Sequence, residues 1–396
     1  MIEKSTDWCQ VFLLWGIGLL SAAQFGKVSL AFEALRDAYV LPDTQLALVV
    51  SFVGAVGIVF GAVAGMVVGR IGPRTVLLAA LFFGGAMSLV QSFLPPFQLL
   101  LAARLLEGAA HLSLVVAAPV LMAEISTRKD QPMVMALWAS FFGVSFALTS
   151  LVIPPILAWR GLSGVFIVHG GLMMLAGLIA TRAISHIPTR RLPWPGFWAA
   201  HETLYRDPAR FGPALGFFWH TLMFVALLTF LPSLGLTTGS GAALAASLPL
   251  LALIGTFLAG WLVRWIHPSR LVVLSFCATA FGAGGLIFAS QAVAIWIIVP
   301  LFISIGIVPG ASFAAIPALN ETAANRAEAN GAVAQLGNVG TTSGTPLFAY
   351  FLATAGATGL LGLTIVISLV GAVVVWMVLV RPKRDGASIS RRQTGQ

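Results

Sequence analysis

Arg104, Glu107 and His111 stand at spacings of three and four inside an apolar run over residues 97–122. On a helix this puts a guanidinium, a carboxylate and an imidazole within about 60° of arc and about 10 Å of axis, as one polar stripe. An ionisable side chain at mid-membrane costs about 3 kcal/mol on insertion scales, so each is a functional candidate by default. The chemistry on offer is binding of an anion by Arg104 and proton exchange at Glu107 and His111 acting together. Imidazole titrates near ~6.5 in water and needs little help to exchange protons at neutral pH.

In the first apolar run Lys27 follows Ser21 and Gln24 at steps of three, and the seventh carries Trp219 and His220. If these residues share one space, Lys27 and Arg104 outnumber Glu107, and the positive surplus favours an anionic or electron-rich solute such as a small carboxylate. The eleventh run adds Gln335, Asn338, Thr342 and Thr345, an uncharged hydrogen-bonding stripe interleaved with Gly337, Gly340 and Gly344. Blander readings stay open beside these. Arg104 and Glu107 can pair within one helix merely to permit their burial, Lys27 can snorkel to the outer surface, and the eleventh-run stripe can serve helix packing. His169 reads as a core histidine satisfied by hydrogen bonds.

The elements that must hold these residues are helices in lipid. Of 396 residues 59% are hydrophobic and 9% charged, against about a quarter charged in a soluble domain. Twelve apolar runs stand out, at residues 9–34, 44–69, 75–94, 97–122, 133–156, 162–181, 211–234, 240–264, 270–290, 293–317, 330–354 and 358–380. Runs of about 20 residues can cross the ~30 Å hydrocarbon layer as helices, and they lack the alternation of a membrane β-barrel. The first run starts at Trp8 without a convincing cleavage site and is read as a helix.

The net charge of +9 belongs to the membrane surface rather than to a nucleic-acid partner. With the N-terminus inside, 18 of the 22 Lys and Arg fall on the inner side. Lys27, Arg36 and Arg160 lie toward the outside and Arg104 within a span, so the positive-inside rule puts both termini in the cytoplasm. Cys9 and Cys277 are too far apart in sequence to suggest a disulfide framework, a CxxC redox site or a metal site.

Glycines recur at Gly57, Gly61, Gly65 and Gly69 on one helix face, which lets another helix approach closely. Arg70 and Arg74 then bracket Gly72-Pro73, where the helix stops. The segment GMVVGRIGP over 65–73 aligns with GWLVRWIHP over 260–268 at Gly, Val, Ile and Pro, each copy following the second run of its half. Residues 183–210, rich in Pro, Trp and Arg, read as a cytoplasmic linker. It joins an N-terminal six-helix bundle, 1–182, to a C-terminal one with a cytoplasmic tail, 211–396. Repeated halves around a midplane site are an architecture of secondary transporters.

On these motifs, together with RLLEGAAHLSLVVAAP over 104–119, the chain resembles the major facilitator superfamily from its first run to its last. With ANGAVAQLGNVGTTSGTPL over 329–347, span four looks most like the cyanate and nitroimidazole transporter branch. The resemblance implies an all-α integral membrane protein of 12 transmembrane helices in two pseudo-symmetric six-helix bundles. In the family, spans one, four, seven and ten line the central cavity. Gln24, Lys27, Arg104, Glu107, His111, Trp219 and His220, with Gln335 and Asn338 of span eleven, are therefore expected to bind substrate or couple protons. The family's cytoplasmic gate motif falls on Gly65, Gly69, Arg70, Gly72 and Arg74, with Gly69 where the family usually has Asp, which implies a gate held by fewer charges. A gate contact of Glu321 or Glu328 with Arg70 or Arg74 competes with a solvated loop, and Gly306 and Gly310 beside Pro309 mark span ten as the best hinge.

No HExxH, GxSxG, clustered carboxylates or P-loop is present, so neither membrane hydrolysis nor ATP-driven pumping has visible machinery. The expectation is a secondary active transporter, not an enzyme, without cofactor or metal. It would move a small, anionic or polar organic solute across a bacterial inner membrane by alternating access, coupled to protons, as a monomer in the lipid bilayer. The alternative is a proton-driven drug or metabolite efflux pump of the same fold.

Overall fold

The computed structural model describes residues 5–127, 129–184, 196–237, 241–321 and 323–381, and the surroundings of a few helical positions, Gly65 and Gly69 among them, lie outside the described part. The first half contains α1 (Trp8–Ser29), the short α2 (Phe32–Ala38), α3 (Asp43–Ile71), α4 (Pro73–Gln91), α5 (Phe97–Glu124), α6 (Gln131–Ala139) and α7 (Phe141–Ala183). After α8 (Phe197–Arg206) come α9 (Pro208–Phe230), α10 (Gly241–Leu262), α11 (Pro268–Phe288), α12 (Gln291–Leu319) and α13 (Ala323–Val375). No strand occurs among the described residues.

Among the described residues ten helices are long and apolar enough to cross a membrane. Two of them, α7 with 43 residues and α13 with 53, would as straight rods reach about 64 and 80 Å, at least twice the hydrocarbon thickness. Each is broken once. Gly161 has φ +62° beside Arg160, and Gly356 has φ +58°, a backbone region glycine enters without steric cost. The breaks divide ten helices into twelve spans. Gly356 follows Gly161 by 195 residues, the same offset that separates Pro268 from Pro73. Those two prolines occupy the first turns of α11 and α4, where a missing N–H costs nothing. One offset over such distant landmarks means that the halves repeat a single plan.

The ends of the helices are set by local chemistry. Asp7 accepts from the Gln10 N–H at the start of α1 and Asp207 from the Ala209 N–H at the start of α9, each satisfying a donor that the helix leaves free. Near the other end of the molecule Arg36 makes a two-pronged bond to Asp43, at 2.9 and 2.7 Å, across the turn between the first two spans.

Toward the face opposite the termini, Phe25, Val28, Phe146 and Ile153 of the first half share one core with Phe224, Phe230 and Leu248 of the second. Ser29 Oγ meets Thr229 Oγ1 at 2.7 Å there, and Phe32 packs edge-on against Phe230. Toward the face bearing the termini the cores part. Val11, Leu14, Leu77, Leu121 and Met122 form one from first-half residues, and Leu204, Ala214, Ile316 and Val333 form another from α8 and the second half. The apolar cores of the two halves are thus continuous toward one face and distinct toward the other, where α3 and α13 meet through polar groups instead.

Gly306 and Gly310, expected to mark a hinge in span ten, lie in α12. α12 is one unbroken helix, and a Cβ on Gly306 would overlap the Ala252 carbonyl, while one on Gly310 would lie 2.8 Å from the Thr256 carbonyl oxygen. These glycines are where α12 presses against the backbone of α10.

Candidate functional site

α5 carries Arg104, Glu107 and His111 into the first half, where all three are buried. The Glu107 carboxylate is the hub. Its Oε2 accepts from Arg104 Nη1 at 2.5 Å and from Gln91 Nε2 at 2.8 Å, and its Oε1 accepts from Lys27 Nζ at 2.6 Å. Arg104 spends its remaining reach on carbonyls, donating from Nε to Val49 O and from Nη2 to Gln24 O, both at 2.8 Å. The guanidinium therefore ties α5 to α1 and α3.

Lys27 is 2% exposed and does not snorkel. Its ammonium reaches Ser88 Oγ at 2.8 Å and His169 Nδ1 at 3.1 Å besides Glu107, and it lies 5.2 Å from the centre of the Phe166 ring. His169 Nε2 is 3.0 Å from Leu20 O. If Nε2 carries the ring proton and donates to that carbonyl, Nδ1 is free to accept from Lys27. Ser88 in turn donates to Phe166 O at 3.0 Å. The ion cluster thus binds α1, α3, α4, α5 and the second segment of α7 into one bundle.

His111 stands one turn beyond Glu107. Its Nδ1 lies 3.0 Å from both Ser21 Oγ and Ser21 O, and its ring meets the Phe25 face edge-on. From there rings follow one another across the molecule: Phe25, Phe142, Phe146, Phe224, His220 and Phe217, with successive centroids 4.8–6.1 Å apart. The step from Phe146 to Phe224 joins the two halves.

Two expected cavity residues turn the other way. Gln24 points at α4, where a Cβ on Gly84 would come 3.1 Å from its Nε2. Trp219, 195 residues later, is its counterpart and packs against Gly371, whose Cβ would sit 2.9 Å from the indole. Each lies inside its own half. The Gln24 amide, the Trp219 indole nitrogen and His220 Nδ1 have no hydrogen-bond partner among the described residues.

The polar stripe of α13 lies against the glycine face of α3. A Cβ on Gly57 would run into the Asn338 carboxamide, one on Gly54 into Thr342 Oγ1, and one on Gly61 would lie 3.0 Å from Gln335 Cα and Cβ. Gln335 is a junction of three parts of the chain. Its Nε2 donates to Ile58 O at 2.9 Å in α3 and lies 3.0 Å from His201 Nε2, and its Oε1 accepts from the Tyr205 hydroxyl at 2.9 Å, both in α8. Burial pushes the Tyr205 phenol up to about 12, so it stays a protonated donor at any physiological pH. Gln335→Leu removes these bonds at once, each worth about 1 kcal/mol. Amides of α8 are expected to exchange with deuterium faster in that variant; unchanged protection would mean that apolar packing alone holds α8.

The expected gate residues divide. Arg74 Nε and Nη2 donate to Ile184 O and Thr181 O, each at 2.7 Å, and so fasten α4 to the end of α7 within the first half. Arg70 is exposed beside Gly72, where φ is +106°, and the surroundings of Gly65 and Gly69 lie outside the described residues. Glu328 pairs with Arg210 at 2.5 Å, at the start of the second half, rather than with Arg70 or Arg74.

Ser88, Gln91 and His169 were not among the expected site residues. Ser88 and Gln91 sit three apart near the end of α4, a polar pair in an apolar run, which is the one sequence signal that pointed to them.

The model of the Major Facilitator Superfamily matches residues 14–334. A lincomycin resistance protein from Streptomyces lincolnensis is 29% identical over 182 residues, 46% of this chain and 38% of that protein, so the match spans well under half of that relative's length. Two crystal structures of a bacterial homolog of the human lysosomal transporter Spinster, inward-facing and either occupied or unoccupied, are similar with TM-scores of 0.77 and 0.72. They cover 95% and 93% of this chain and 97% and 96% of their own, at 16% identity. At that identity the likeness is one of fold.

Proposed function

We propose that this chain, a member of the Major Facilitator Superfamily and so a multi-pass transporter, is a secondary transporter that moves a small anionic or polar organic solute in exchange with, or together with, protons. Alternating access would rock the two halves about the interface of α3 with α13 and of α1 with α9. A bacterial inner membrane with both termini cytoplasmic fits the distribution of Lys and Arg, and the face at which the cores part would then be the inner one.

The observation that carries this reading is the buried cluster of Lys27, Arg104 and Glu107. Buried ionisable groups in a membrane are expensive and are kept where ions or protons must be handled. The cluster holds two cations to one anion, and that surplus favours an anionic solute through its field. Lys27 and Arg104 would act through that field, not by direct ligation, since both are spent on Glu107 and on groups inside the first half. The solute would meet the ring series from Phe25 to Phe217, so an apolar or planar body beside its polar group is favoured.

Efflux of a drug or metabolite is the second reading. It is supported by the relative named a lincomycin resistance protein and by the same rings. A thermal-shift screen of small carboxylates, inorganic anions and lincomycin tests both, because a ligand of the folded state raises the melting temperature. Stabilisation by a carboxylate, followed by vesicle flux that tracks an imposed pH gradient, is the expected result. Stabilisation by lincomycin alone would favour efflux, and flux indifferent to the gradient would remove proton coupling.

A further inference from the structure

We propose that Lys27 is the residue that takes up and releases the coupling proton, with His169 as its exchange partner, while Arg104 keeps Glu107 permanently ionised. This deepens the proton-coupled reading above and rests on it.

Among the described residues Lys27, Arg104 and Glu107 are the buried members of the Lys, Arg, Asp and Glu types. A guanidinium does not lose its proton in proteins, so Arg104, 2.5 Å from Glu107, matches that carboxylate in every state of the cycle. Lys27 is the surplus. With its proton the cluster carries one positive charge, and without it none. Lysine, unlike arginine, changes ionisation readily once buried. Glu107 is poorly suited to the task, because protonating it would leave two cations facing each other.

Both states of Lys27 find partners. The ammonium has three donors, and Glu107 Oε1, Ser88 Oγ and His169 Nδ1 stand at 2.6, 2.8 and 3.1 Å to receive them. For release, the N–H bond at Nζ breaks and one forms at His169 Nδ1. The resulting imidazolium then gives its Nε2 proton to solvent water admitted beside Leu20 as the halves rock. The electron pairs stay on nitrogen throughout. The ring is left with a proton on Nδ1, which donates to the new lone pair of the Lys27 amine. The reverse sequence reloads it.

The groups facing Lys27 are known for each packed element. α4 presents Ser88 and Gln91, α5 presents Arg104, Glu107 and, a turn on, His111, and the second segment of α7 presents His169 and the Phe166 ring. α3 contributes the Val49 carbonyl, through Arg104. His111 is held by Ser21 instead of by the cluster, so the pairing of Glu107 with His111 expected from sequence gives way to Lys27 with His169.

The test needs no identified solute. With Cys9 and Cys277, both free, replaced by Ser, spin labels at Ile71→Cys and Trp265→Cys report the separation of the two halves at the face bearing the termini. In the parent protein the distance distribution is expected to shift between mildly acid and alkaline pH. Lys27→Arg, which keeps the charge and the bonds but cannot release the proton, should hold the acid distribution at every pH. Lys27→Met should hold the alkaline one, and it serves as the second variant if the arginine does not fit. After a pH jump His169→Gln should shift at least several-fold more slowly. A Lys27→Arg or Lys27→Met protein that titrates like its parent would overturn the assignment to Lys27 while leaving proton coupling intact. A parent distribution indifferent to pH would overturn both, and an unchanged rate in His169→Gln would remove His169 from the path.

Discussion

Glu107→Gln is expected to lower the stability of the purified protein by about 3–5 kcal/mol, the cost of removing one partner from a buried ion pair. The size of the side chain hardly changes, so the effect is electrostatic. Lys27 and Arg104 are left as two buried cations without an anion. The hydrogen bonds fail as well. The carboxylate accepts from Arg104, Gln91 and Lys27 through two oxygens, whereas an amide has one oxygen and a nitrogen that donates. Whichever way it turns, at least one donor faces another. Lys27→Met is the informative comparison. It deletes a charge from the same cluster yet leaves the neutral pair of Arg104 with Glu107, and its cost should be the smaller, of the order of the ~1–3 kcal/mol for polar partners left unsatisfied. Thermal unfolding in detergent measures both. Equal melting temperatures for Glu107→Gln and its parent would mean that the charge of Glu107 does not hold the cluster together.

Gly57→Val is expected to change how the halves move while sparing each half. Its side chain would enter the space of the Asn338 carboxamide, which is itself tied to Ala334 O at 2.7 Å and has little room to yield. α3 and α13 belong to different halves, so the clash is relieved by parting them, not by unfolding either. Overpacking of this kind costs about 1–3 kcal/mol, which shifts the population of the conformation in which these spans touch by roughly 5- to 150-fold. Solute flux should fall by a comparable factor while the helical signal stays intact. Gly171→Ala is the control, since a Cβ there meets nothing within 4 Å. Flux in Gly57→Val equal to that of the control would show that α3 and α13 need no close approach during the cycle.

The extent to which the chain could be read without its tertiary structure follows from the physics of lipid. Residues 75–94 and 270–290 read as spans because only a helix satisfies its own backbone in hydrocarbon, and α4 and α11 stand there, each with its proline in the first turn. The repeat seen in nine residues at 65–73 and 260–268 extends to the breaks at Gly161 and Gly356. Arg104, Glu107 and His111 were legible as one stripe, because spacing on a helix fixes which residues share a face.

What spacing leaves open is the neighbour that a face meets. In water an amphipathic helix turns its apolar side inward, but in lipid the surroundings are as apolar as the core and that cue to rotation is lost. Lys27 therefore read either as an inward site residue or as an outward, snorkelling one, and packing turned it to Glu107. Gln24, three residues earlier on the same helix, faces Gly84 inside the first half, not the space between halves. His169 read as an isolated core residue because its partners, Leu20 and Lys27, are more than a hundred residues away in the chain. The junction of Gln335 with Ile58, His201 and Tyr205 was hidden for the same reason. By itself the sequence determined the number of spans, their pairing into repeated halves and the charged stripe of α5, all properties of local hydropathy and helical period. The tertiary structure alone decided which charges meet, because that depends on the rotation of each helix against its neighbours.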